Sequence, residues 1–139
     1  MKLRPYSSTA LALCGIILMV MGLYFALFRP PLLPEDVRNI GASFAKIQED
    51  VPQLLNWLNR VFWVMGAYMF TSGLLTLYTA ATSFRKRARG VTSVMALAGL
   101  SSIGWMTIVN FMLGSDFKWL LLAFALLWGL ALVLFWLGK

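Results

Sequence analysis

The sequence predicts an all-α membrane protein: one integral domain over residues 1–139, built as an antiparallel four-helix transmembrane bundle with a short amphipathic helical segment in its first outer loop. Three observations carry this. Hydrophobic residues make up 60% of the chain and charged residues 12%, against roughly 45–50% and about 25% in soluble domains. Four apolar runs, at about residues 10–28, 61–82, 91–113 and 117–137, hold charge only at their ends; each is close to the ~20 residues that cross a hydrocarbon core. The remaining charges gather at the termini, in an outer loop at 29–60, in a basic loop at 83–90 and, as Asp116, in the turn between the last two runs.

The first span follows a short basic leader and is the uncharged run Ala10–Phe28. Its apolar stretch exceeds the 7–15 residues of a signal-peptide core and no Ala-x-Ala-like site follows, so it is expected to be retained. Gly15 and Gly22 are seven apart and share a face on which a second helix can approach closely. Arg29-Pro30-Pro31 ends the span, because proline cannot continue a helix.

The outer loop contains three helix starts. Pro34 suits a first helical position, Glu35 and Asp36 fall in the first turn, and Gly41 suits the C-terminal cap. Glu35 and Arg38 are one turn apart and are expected to pair. Ser43 can cap a second short helix. Asp50, with Pro52 and Gln53 after it, is expected to cap a third helix that runs on into the second span.

Within the second span Gly66, Gly73 and Ala80 recur every seven residues, a small-residue packing seam. Thr71, Thr76 and Tyr78 add hydroxyls; these bond to their own helix or, with Asn110 of the third span, line a polar site between the second and third spans. The fourth span is almost purely Leu, Ala, Phe and Trp. Trp57, Trp63, Trp119 and Trp136 stand where an interfacial aromatic belt would.

Arg85, Lys86, Arg87 and Arg89 set the orientation, since Lys and Arg near spans stay on the cytoplasmic side. Both termini, with Lys2, Arg4 and Lys139, then also face the cytoplasm. The other five basic residues share the outer side with all five acidic ones, so the net charge of +7 lies inside. The basic loop can also attract anionic lipid; it has no aromatic platform for nucleic acid.

The chain has no His and one Cys, Cys14. The commonest general base and metal ligand are missing, and no intrachain disulfide or CxxC pair can form. No Asp, Glu, Lys or Arg lies inside a span away from its ends, which argues against proton-coupled transport. No cofactor is expected.

The runs LLPEDVRNIG and VPQLLNWLNRVFWVMGAYM, within Leu32–Thr82, resemble small four-span membrane proteins of bacteria. That resemblance implies a multi-pass protein of the bacterial inner membrane and attaches no mechanism. Three functions are compatible with the residues. The first is a non-catalytic accessory or assembly subunit, or a homo-oligomer, joined to another membrane protein or to itself through the seam and through an outer docking surface at Glu35, Asp36, Arg38 and Asn39. The second is a binder of a lipid or quinone between the second and third spans. The third is an enzyme built on Glu35, Asp36 and Arg38.

Overall fold

In a computed structural model, residues 4–138 are described, with side chains from residue 6 onward. Lys2, the Arg4 side chain and Lys139, which the orientation argument uses, lie outside that set. The described residues form helices joined by turns, with no strand among them, in an antiparallel four-helix bundle. The helices are α1 (Arg4–Leu27), α2 (Pro34–Ile40), α3 (Phe44–Asp50), α4 (Leu54–Thr79), α5 (Val91–Gly99), α6 (Trp105–Met112) and α7 (Lys118–Leu137). A π-turn, Ala80–Phe84, extends α4, and a second, Leu100–Gly104, joins α5 to α6. Four segments are long and apolar enough to span a membrane: Tyr6–Leu27, Leu54–Phe84, Val91–Met112 and Lys118–Leu137. The first helix therefore begins within the expected leader. The amphipathic approach and the second span form one helix.

The short helices follow their local signals. Pro34 opens α2, Gly41 caps it at φ 75°, and the Ser43 Oγ accepts from the Lys46 N–H at the start of α3. Asp36 accepts the Leu33 N–H at 2.7 Å, closing the first turn of α2. Asp50 does not cap α4: it is the last residue of α3, and α4 starts after Gln53 without a side-chain cap. Pro52 explains the break, since its ring disfavours helical backbone at Val51.

The packing order differs from the chain order. α1 packs on both α4 and α7, while α5 and α6 pack mainly on α7 and α5 also meets the π-turn that extends α4. The α1–α4 pair is held backbone to backbone. A Cβ on Gly66 would stand 2.5 Å from the Gly22 carbonyl oxygen, and one on Gly73 would stand 2.6 Å from the Gly15 oxygen. Without a hydrophobic drive between helices in lipid, such close approach supplies the van der Waals contact that holds them.

The side-chain core is concentrated toward the basic-loop end. Leu11, Cys14, Phe84, Ile103 and Ala131 are among its most buried members, and Met95 and Phe135 belong to it. Trp128 lies against Gly99, where a Cβ would meet its Cδ1 at 2.7 Å, and its indole N–H donates to the Met95 carbonyl at 2.9 Å. Arg87 closes this end. Its guanidinium donates to the Phe135 carbonyl at 2.8 Å and stacks on the Phe135 ring. The π-turn of α4 and α5 meet here as well.

Candidate functional site

Toward the other end of the bundle, helix packing gives way to a cavity. α4 packs on α1 and α6 packs on α7, and the space between these pairs is a cavity of about 780 Å³. Its walls are apolar. Ile17 and Met21 come from α1, Met65 and Met69 from α4, Met106 from α6, and Phe124 and Leu127 from α7. Four of the chain's eight methionines line it. Unbranched thioether side chains adapt to irregular shapes and recur on surfaces that accept varied apolar ligands.

The lining runs along α7 from Phe117 to Leu127. At 1.5 Å per residue this is a depth of about 15 Å, half of a hydrocarbon core of about 30 Å. The lined length along α7 is thus comparable to the hydrocarbon of a single leaflet.

Its mouth is polar and lies under α2. Arg29, Glu35 and Asp36 border it together with Asn110. Arg29 pairs with Asp36 at 3.0 Å and donates to the Pro30 carbonyl. Its guanidinium also lies 3.7 Å from the centre of the Phe62 ring, and the side chain is only 8% exposed. A cation held this way keeps its charge paired and its flat faces covered.

α2 also ties the two helix pairs together. One carboxylate oxygen of Glu35 accepts from the Ser115 hydroxyl and from the Asp116 N–H, each at 3.0 Å. Arg38 pairs with Asp116 at 2.7 Å. This corrects the expected Glu35–Arg38 pair: both residues reach instead to the α6–α7 turn, about 80 residues away.

The other residues expected at a site fall as follows. Gly15, Gly22, Gly66 and Gly73 meet each other between α1 and α4, within one chain. Ala80 is fully buried and belongs to the π-turn. Of the expected lining set, Asn110 borders the cavity and its amide N–H donates to the Met106 carbonyl of its own helix. Thr71, Thr76 and Tyr78 do not line it, which corrects that part of the expectation. Thr76 follows Gly73 by three positions and is buried on the same face. Thr71 and Tyr78 lie about 160° and 140° around the helix from Gly73 at 100° per residue, so both turn outward. Asp36 and Glu35 are engaged as above, and the Asn39 amide donates to the Glu35 carbonyl. Arg85, Lys86 and Arg89 are exposed, while Arg87 is docked on α7.

The sequence reading missed the methionine lining and Arg29. Met21 lies among other apolar residues of the first span, and the methionines carry no recurring spacing. Arg29 read only as a span terminator. Among the described residues, no group of three or more His, Cys, Asp or Glu could hold a metal ion.

Comparison with protein-family models, with curated proteins and with solved structures finds no match to this chain. The site is therefore read from its own geometry.

Proposed function

We propose that this small integral membrane protein binds one lipophilic molecule, inserting its chain into the methionine-lined cavity and leaving its head at the mouth under α2. The reading includes the orientation argued from charge, with the basic loop on the cytoplasmic side and the cavity in the outer leaflet. The observation that carries it is the half-open space of about 780 Å³ with apolar walls and a polar rim, which has the size and character of small-molecule sites in general. The alternative, an interaction subunit working through the glycine seam, loses its main support. The seam glycines are already occupied by backbone of the same chain.

Native mass spectrometry of protein released directly from membranes tests the proposal. The expected result is a single defined adduct on wild type. Its loss is expected in a Met69→Trp/Met106→Trp variant that still melts cooperatively. A bare wild-type chain, or wild-type and filled variants carrying the same bulk lipid, would overturn it. A stoichiometric protein partner with no small adduct would favour the interaction reading instead.

A further inference from the structure

Granted that the cavity holds a lipophile, the atoms at its mouth restrict the head group. We infer that the ligand carries hydrogen-bond donors, hydroxyl or ammonium, and no net negative charge. Three residues supply the argument. Both hydrogen bonds that Glu35 accepts through its side chain use Oε2, which leaves Oε1 without a partner among the described residues. The bonds that Asp36 accepts use Oδ2, which leaves its Oδ1 in the same position. Asn110 engages its amide N–H on Met106, and its Oδ1 accepts nothing among the described residues. All three residues line the cavity. The residues at the mouth therefore carry three acceptor oxygens that no described group engages.

The single cation at the mouth does not offset this. Arg29 is paired with Asp36, bonded to the Pro30 carbonyl and covered by Phe62. The formal charge of Arg29, Glu35 and Asp36 together is −1, and the adjacent Arg38–Asp116 pair adds none. A phosphate diester with a net negative charge would meet acceptor oxygens and like charge, which costs on both counts. A neutral or zwitterionic head that donates protons would satisfy them. This sets the site apart from the lysine- and arginine-rich clusters that recruit anionic lipids.

Three probe lipids with the same acyl chains decide the matter: diacylglycerol, phosphatidylethanolamine and phosphatidylglycerol, presented at equal mole fraction in mixed detergent micelles to full-length protein stripped of endogenous lipid. Native mass spectrometry reads the bound lipid. Diacylglycerol and phosphatidylethanolamine are each expected to be enriched at least tenfold over phosphatidylglycerol. Asp36→Asn removes the partner of Arg29 and one negative charge, and is expected to move the preference toward phosphatidylglycerol. Asn110→Leu leaves the charge unchanged, removes one acceptor, and is expected to reduce uptake of diacylglycerol and phosphatidylethanolamine together. Preference of wild type for phosphatidylglycerol, or equal uptake of all three, would overturn the head-group inference while leaving the cavity reading intact. Uptake that is equal in wild type and in the Met69→Trp/Met106→Trp variant would overturn the cavity reading itself.

Discussion

Gly66 and Gly22 face each other across α4 and α1, and neither has room for a methyl group. A Cβ on Gly66 would press on two backbone atoms, the Gly22 oxygen at 2.5 Å and the Ala26 nitrogen at 2.6 Å. Backbone cannot rotate away as a flexible side chain can, so the helices must separate. Gly66→Ala is expected to destabilise by about 1–3 kcal/mol, the usual scale of overpacking, measured by reversible unfolding in mixed micelles. Gly129→Ala is the matched control. Nothing lies within 4 Å of a Cβ there, and replacing Gly by Ala inside a helix gains up to about 1 kcal/mol. Gly129→Ala should leave stability unchanged or raise it; equal losses at both positions would show that the seam is not a packing face. Heptad spacing made these glycines legible in the sequence. It left open whether they face a neighbour within the chain or a second copy, because spacing along one helix names a face and not its occupant. Cys14 belongs to the same interior and is fully buried. A thiol there is inert in the folded state through lack of access. Maleimide labelling should therefore be slow in membranes and fast once the chain is unfolded in dodecyl sulfate.

At the scale of elements, α2 works as a strap. It is attached to α1 through Arg29–Asp36 and to the α6–α7 turn through Glu35–Ser115. Ser115 is buried and Glu35 is half-buried, so their bond is shielded from water. Arg38 and Asp116 are 61% and 65% exposed at the side chain, where ion pairs contribute about 0–1 kcal/mol. Double-mutant cycles should separate the two. Glu35→Gln with Ser115→Ala is expected to show a coupling of about 1 kcal/mol or more, since hydrogen bonds to charged groups are stronger than average. Arg38→Ala with Asp116→Ala should show a coupling near zero and weaken further with salt. A reversed ranking would remove the strap. Pro34 and Gly41 announced this helix in the sequence, because caps are local. Its attachment was not legible, since partners about 80 residues apart leave no periodic trace. The π-turns were hidden for a related reason. Ala80–Phe84 and Leu100–Gly104 keep the apolar character of ordinary spans, and hydropathy does not register one extra residue in a turn.

The whole molecule divides into a closely packed end and an open one. At the basic-loop end, Phe84, Met95 and Phe135 fill the interior and Arg87 fastens the loop to α7. At the α2 end the two helix pairs are joined by a strap above a cavity. Hydropathy revealed four spans because each must cross the same apolar thickness. It could not give their packing order, since nearly uniform apolar faces such as those of α7 fit many neighbours. This division separates two roles within the basic loop. Arg87 is a structural residue, while Arg85, Lys86 and Arg89 are exposed and their side chains make no hydrogen bond or ion pair among the described residues. Arg87→Ala removes a donor from the C-terminal end of α7 and uncovers the Phe135 ring. A loss of about 1–2 kcal/mol is expected, the scale of a cation at a helix C-terminus. The triple change Arg85→Gln/Lys86→Gln/Arg89→Gln is expected to leave unfolding unchanged and to weaken orientation instead, because topology follows Lys and Arg in short loops. The readout is a single reporter cysteine placed by Ser43→Cys in the buried-thiol background Cys14→Ala, probed in intact cells with a membrane-impermeant maleimide. With the native loop the reporter should label from outside. With the neutral loop a substantial unlabelled fraction should appear, and that fraction should label only after the membrane is permeabilised. Full external labelling of both proteins would mean that the basic loop does not set the orientation. Labelling of neither before permeabilisation would place the cavity in the inner leaflet.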